Sequence, residues 1–209
     1  GLNLAILARE NFLQNKPAGK KILVAAGPGS NGGGAMVAAR RLHNWGADVK
    51  LMLSSTKGKF RKETIYQFTI LKNLDMEVVD KVPKCDLIID GLMGYGFTGK
   101  PTDKMVKCIN MINDSGIPVL ALDTPSGLDL NTGKPGSPTI KAKNTMTLAL
   151  PKLGLFKLVA SKYIGDLYMA DISIPPEMFK SMGLQVNGLS KAFMENTVVK
   201  INKVVVFNT

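Results

Sequence analysis

Apolar side chains recur at helical spacing over residues 2–14, at Leu2, Leu4, Ile6, Leu7, Phe12 and Leu13, and predict an opening helix. Pro17-Ala18-Gly19 ends it. The pattern then changes. KILVAAG at 21–27 is a continuous apolar run, as expected of a strand buried on both faces of a parallel sheet. A glycine-rich loop over 27–34 separates it from a helix predicted over 35–45, which Gly46 stops. VKLML (49–53) reads as a second strand, 61–74 as a helix and MEVVD (76–80) as a third strand. DLIID (86–90) follows, then a helix over 102–114 and PVLALD (118–123). Beyond a long loop of turn formers, TPSGLDLNTGKPGSP, come TMTLAL (145–150), a short helix in LFKLVASKY and DLYMADISI (166–174). Strand and helix alternate along most of the chain. That predicts a doubly wound α/β fold, with a mostly parallel sheet and helices on both faces. No repeat, low-complexity segment or shift of composition divides the chain, so residues 1–209 read as a single domain.

Composition narrows the function classes. Two cysteines, Cys85 and Cys108, read as reduced core thiols, because a domain of this size is no disulfide scaffold. The one histidine, His43, lies on a predicted helix outside any nucleophile motif, and no clustered Cys, His and carboxylate ligands suggest zinc. No apolar run approaches the roughly 18 residues that span a bilayer, and no signal peptide is visible. A cytoplasmic protein without membrane association is expected. The net charge of +11 suits an anionic partner. Nucleic acid is disfavoured, because the lysines are dispersed and aromatic residues are only 6%. A phosphorylated small ligand accounts for the charge equally well.

Three constellations carry chemistry. Gly27-Pro28-Gly29-Ser30-Asn31-Gly32 matches G-x-G-x-x-G, follows a strand and opens a helix. Glycines there let backbone approach a phosphate, and the free N–H groups of the helix start face the anion. A nucleotide-binding cradle is expected, and a valine at Gly32 should block it without unfolding the domain. A dinucleotide fold often places an acid at the end of its second strand, for the ribose hydroxyls. Here that position reads Leu53-Ser54-Ser55, followed by Lys57, Lys59, Arg61 and Lys62. This basic loop either accepts a phosphate on the ribose or is simply solvated. The second constellation is Asp90-Gly91-Leu92-Met93-Gly94-Tyr95-Gly96-Phe97-Thr98-Gly99-Lys100, and the third is Asp123-Thr124-Pro125-Ser126-Gly127. Both set an acid at a strand's end. Strand ends of a parallel sheet share one edge, so the three loops should converge on one crevice. Carboxylates there can serve as general bases or hold a cation that offsets ligand phosphates.

These motifs, in this order, resemble the NAD(P)H-hydrate epimerase family, also called the YjeF N-terminal domain family. The resemblance runs from GLNLAILARE through GPGSNGGG, DLIIDGLMGYGFTGKP and PVLALDTPSGLDLNTG to LALPKLGL and GDLYMADISIPPEMF. It implies a Rossmann-like fold. It also implies an isomerase that interconverts the R and S epimers of hydrated NADH and NADPH, in cofactor repair. A separate NAD(P)H-hydrate dehydratase would be its functional partner, and a homodimer is a candidate assembly. By the same resemblance Ser30, Asn31, Gly32, Gly33 and Gly34 bind substrate. So do Gly94, Tyr95, Gly96, Phe97, Thr98, Gly99, Lys100 and Asp123, with Asp123 the catalytic acid–base residue. Asn31, Asp90 and Ser126 would hold a potassium ion.

The family's loop usually reads N-N-G-G-D-G, where this chain has Ser30-Asn31-Gly32-Gly33-Gly34-Ala35. The carboxylate at position 34 is missing. That makes a rival of a nucleotide-binding or protein-interaction module that keeps the cradle without the chemistry, and the G-x-G-x-x-G match with the basic loop makes a second rival of an NADP-dependent oxidoreductase.

Overall fold

The computed structural model describes residues 1–96, 100–184 and 188–201. Six strands run parallel: β1 (Lys21–Ala26), β2 (Asp48–Leu53), β3 (Leu87–Gly91), β4 (Val119–Leu122), β5 (Asn144–Leu148) and β6 (Asp166–Ala170). A short β7 (Val198–Lys200) pairs antiparallel with β6, and the sheet order is β2-β1-β3-β4-β5-β6-β7. Alternate residues of β1 serve opposite faces, as strand pleating requires. Ile22, Val24 and Ala26 join one core, with Leu4 of α1 (Leu2–Asn11), Met36 and Leu42 of α2 (Ser30–Asn44) and Phe68 of α3 (Lys62–Asn73). Leu23 and Ala25 join the other, against Met105, Ile109 and Ile112 of α4 (Asp103–Asp114). Each of the larger of these buried side chains contributes roughly 1.5–3 kcal/mol. The fold is the doubly wound α/β sheet with helices on both faces.

This sheet order positions the site. The chain goes from β1 outward to β2, then returns to β3 on the other side of β1. The loops leaving β1 and β3 therefore part from one another, and ligands of open α/β sheets bind at such a switch point.

Several boundaries differ from the sequence reading. Helix α2 begins at Ser30 rather than Ala35, so the G-x-G-x-x-G pattern runs into its first turn. Residues 76–80 form no strand. They touch the sheet edge at one bridge, Leu51 to Val78, flanked by Leu51 N–H to Glu77 O (2.9 Å) and Val79 N–H to Leu51 O (2.8 Å). Glu77 and Val78 are exposed, and without a burying face the segment does not extend the ladder. β6 stops at Ala170, four residues early. Asp171 there accepts from Ser173 N–H (2.7 Å), Ser173 is left-handed (φ 62°), and two prolines follow. Helix α5 is one turn, Ser161–Ile164, preceded by two 3₁₀ turns. Pro176–Ser181 (α6), Leu189–Glu195 (α7) and β7 had no sequence signal that distinguished them.

Candidate active site

The three loops meet. A cleft of about 580 Å³ lies along the carboxyl edge of the sheet, lined by Ser30, Asn31, Gly34, Gly94, Tyr95, Gly96 and Asp123. Lys59 and Arg61 line it on the β2 side, and Leu148 and Ile172 on the β5–β6 side. Backbone bonds tie the walls together: Arg61 N–H to Pro28 O (2.9 Å) and Gly27 N–H to Gly91 O (3.1 Å). A depression of about 660 Å³ lies beyond Tyr95 under the 124–138 loop, but it takes in neither the first turn of α2 nor Asp123. The smaller cleft is the one that brings the candidate residues of the three loops together.

Its wall at β1 is the start of α2. Gly29 caps the helix in extended geometry (φ −87°, ψ −178°), and the first-turn N–H groups have no helical acceptors. Those groups and the helix dipole favour an anion. Gly29 has open space around it: a Cβ there would meet nothing within 4 Å. Gly32 and Gly33 are different. Both are buried and neither lines the cleft. A Cβ on Gly32 would fall 2.0 Å from the carbonyl oxygen of Gly27, and one on Gly33 would press Thr64 at 3.2 Å. Gly32 therefore lets α2 sit against the β1 turn. A valine there would break that packing, and the expectation that it would spare the fold is corrected. Ser30 donates to Glu63 Oε1 (2.6 Å) and accepts from Arg61 Nη1 (3.4 Å). The Ser30 bond, more than the nearby Arg61, holds the Glu63 carboxyl below the usual range.

Asp123 follows β4 and is buried, with φ 67°. A non-glycine residue in the left-handed region costs roughly 1–2 kcal/mol, and aspartate is among the residues that tolerate it. The surroundings hold it. Its N–H donates to Met146 O (2.7 Å), Oδ2 accepts from Tyr95 N–H (2.9 Å) and Oδ1 accepts from Lys152 Nζ (2.7 Å). Lys152 also donates to Leu148 O (3.1 Å) and Thr147 Oγ1 (3.3 Å). The sequence reading gave Lys152 no role. Its only signal was a lysine between Pro151 and Gly154, directly after an apolar strand.

Asp90 and Ser126 lie beneath the cleft floor and do not line it. Asp90 is fully buried. Its Oδ1 accepts from Ser126 Oγ (2.6 Å) and Leu92 N–H (3.1 Å), and Oδ2 from Ser126 N–H (2.8 Å). Among the described residues no cationic side chain pairs with it. Burial outweighs those hydrogen bonds and pushes its carboxyl up to about 6. Asn31 joins through the Met93 peptide. Its Nδ2 donates to Met93 O (2.9 Å) and Leu122 O (3.1 Å), while Met93 N–H donates to Ser126 Oγ (2.9 Å). Asp90 is thus approached by one hydroxyl and two N–H groups, with Met93 O 3.4 Å from that hydroxyl. An uncompensated carboxylate with a hydroxyl and a carbonyl oxygen beside it supplies the oxygen donor types that a hard monovalent cation takes.

Gly34 lines the cleft, and a Cβ there would meet only Leu122 Cδ2, at 3.1 Å. Lys100 is exposed and does not line the cleft. Phe97, Thr98 and Gly99 lie outside the described residues. In the basic loop, Lys59 and Arg61 line the cleft, whereas Lys57 and Lys62 do not.

A parallel sheet with an open switch-point cleft, a helix start with free N–H groups and a carboxylate–lysine pair has the form of a Rossmann-like small-molecule site. The sequence profile of the family described as "YjeF-related protein N-terminus" matches residues 1–154, and the chain belongs to that family. It is 33% identical over 189 residues to an NAD(P)H-hydrate epimerase of Dehalogenimonas lykanthroporepellens, covering 88% of this chain and 75% of that protein. It is 36% identical to an NAD(P)H-hydrate epimerase of Cenarchaeum symbiosum, covering 78% of each. A bifunctional NAD(P)H-hydrate repair enzyme of Moorella thermoacetica is 36% identical over 81% of this chain, which spans only 34% of that protein. The crystal structure of yeast ynu0 superposes with a TM-score of 0.77, covering 96% of this chain and 86% of the yeast one. At 20% identity that likeness establishes the fold.

Proposed function

We propose that this chain is an NAD(P)H-hydrate epimerase, an isomerase that interconverts the R and S epimers of hydrated NADH and NADPH. The observation that carries the reading is the Asp123–Lys152 pair, held at 2.7 Å beside the first turn of α2. The named relatives supply the substrate. Epimerisation at the hydroxyl-bearing carbon needs a proton moved out and back. As the C–O bond breaks, the ring nitrogen's lone pair forms C=N and the departing hydroxyl takes a proton. Water then adds to the other face, the electron pair returns to nitrogen and the proton is released. Asp123, on the cleft floor, exchanges that proton with substrate, and Lys152 positions its carboxylate. The α2 start binds phosphate, and Tyr95 N–H holds the second carboxylate oxygen.

Asn31, Asp90 and Ser126 would hold potassium, whose positive charge would offset the buried carboxylate and the substrate's phosphates. The bifunctional relatives support a pairing with a dehydratase that removes the water from one epimer. No helix among the described residues is long and apolar enough to cross a membrane. Two unpaired cysteines suit a reducing, cytoplasmic setting. A homodimer is a further proposal, which sedimentation equilibrium tests.

Gly34 favours a second reading, a binding module without turnover. An epimer-resolved chromatographic assay of the hydrated cofactors separates the two. Epimerisation well above the spontaneous rate supports the enzyme, and a rate equal to that in buffer leaves the module.

A further inference from the structure

The cleft does not end at the helix start. It continues past Ser30 to Lys59 and Arg61, on the loop between β2 and α3. Among the described residues neither cation forms an ion pair, although Arg61 lies 3.4 Å from Ser30 Oγ. The loop is not free to swing away. Arg61 N–H is bonded to Pro28 O, Phe60 is buried and packs edge-on against Phe68, and α3 begins at Lys62. Two cations thus line the β2 end of the cleft, with Ser30 and the Glu63 carboxylate beside Arg61.

Strand order says what part of a ligand reaches them. Asp123 follows β4, the phosphate-binding turn follows β1, and Lys59 and Arg61 follow β2. From β4 to β2 is three strand spacings, roughly 14 Å. A dinucleotide with its reacting ring at Asp123 and its pyrophosphate at the α2 start must therefore lay its adenosine half toward β2. The pyrophosphate already has the first-turn N–H groups. At the end of β2 an acid would accept the ribose hydroxyls and repel a phosphate, but the residues are Leu53, Ser54 and Ser55. Ser54 Oγ is buried and has no hydrogen-bond partner. Glu63 is the acid tied into this end, and its carboxylate is engaged by Ser30.

We propose that Lys59 and Arg61 form a site for the 2′-phosphate of the adenosine ribose, so that the protein prefers the phosphorylated dinucleotide. The preference for hydrated NADPH over hydrated NADH rests on the epimerase reading, whereas the phosphate site does not. A guanidinium and an ammonium on one phosphate give charge-assisted bonds that ribose hydroxyls cannot replace.

The test uses the whole chain and no turnover. Calorimetry measures the affinity of adenosine 2′,5′-bisphosphate and of 5′-AMP, for wild type and for the Lys59→Gln/Arg61→Gln double variant. The expected wild-type ratio favours the bisphosphate by at least about tenfold, the effect of one good charge-assisted contact. The double variant should bring that ratio near one. Both side chains are exposed and glutamine keeps the Arg61 N–H, so the fold should survive, and an unchanged melting temperature verifies it. A wild-type ratio near one overturns the proposal. So does a ratio that persists in the variant, including the case where both affinities fall together, which assigns the cations to the 5′-phosphate or pyrophosphate. A failed epimerase assay with a large bisphosphate preference would sink only the catalytic reading.

Discussion

Gly29 and Gly32 sit three residues apart in one motif, and the structure assigns them opposite burdens. The same substitution at each separates ligand access from packing. In Gly32→Ala the new Cβ would lie 2.0 Å from Gly27 O and 2.9 Å from Gly27 C and N. These are backbone atoms at the end of β1, so no side-chain rotation relieves the overlap and either α2 or the turn must move. Such overpacking costs about 1–3 kcal/mol, and backbone contact puts it at the upper end. For a chain of this size 1 kcal/mol shifts the melting temperature by about 2–4 °C, so Gly32→Ala should melt about 6–12 °C below wild type. In Gly29→Ala the Cβ meets nothing within 4 Å, and the extended backbone suits any residue. Lower unfolded-state entropy is worth about 0.4–1 kcal/mol, offset by alanine's poorer cap preference, so stability should stay within about 1 kcal/mol of wild type. Calorimetric melting reads the first quantity, and titration with a phosphorylated nucleotide reads the second. Gly29→Ala should weaken binding while melting normally. Equal melting shifts for the two variants, or a Gly32→Ala protein as stable as wild type, would refute the division between cradle and packing.

Asp123→Asn should keep the fold and most ligand affinity but lower epimerisation by about 10²–10⁴-fold, because the amide cannot carry the proton. An unchanged rate would remove Asp123 from the chemistry. Gly34→Asp should fold, since its Cβ meets only the movable end of Leu122, and should raise the epimerisation rate. A folded variant with no gain would show that the position contributes no catalytic carboxylate. Asp90 makes stability depend on pH. Its carboxyl lies near 6 in the fold against 3.8 when free, so the folded state holds the proton more tightly. The stability this confers is intact below about pH 4, declines as pH rises towards 6 and is lost above, about 3 kcal/mol in all. Denaturant titrations of wild type and Asp90→Asn in a large organic cation should diverge across that window, and potassium should reduce the divergence. Parallel curves would contradict an ionisable, unpaired Asp90.

The alternation of apolar runs with helical periodicity was enough to place β1, β3, β4, β5, α1, α3 and α4 within a few residues, because those segments bury faces that their own spacing defines. The glycine-rich turn between β1 and α2 was equally legible as a strand-to-helix junction, since it separates a buried apolar run from helical periodicity. Asp90 and Asp123 stood out as acids at the ends of apolar runs. Tertiary structure decided what each does. Asp90 points into a sealed floor and Asp123 into the cleft, a difference of side-chain direction that residue type does not encode. Gly32 and Gly29 look alike in the motif, but only the approach of α2 to the β1 turn makes one a packing glycine. Lys152 lies in the LALPKLGL segment, but no local pattern ties it to Asp123. It meets Asp123 from 29 positions away because β4 and β5 are neighbours in the sheet. The four cations of the basic loop look alike in sequence, and only the tertiary structure put Lys59 and Arg61 on the cleft and Lys57 and Lys62 off it. Local pattern determines which segments fold into which elements, since that depends on spacing along the chain. Which side chains share a site depends on strand order and close approach, and these are set by contacts between residues far apart in sequence.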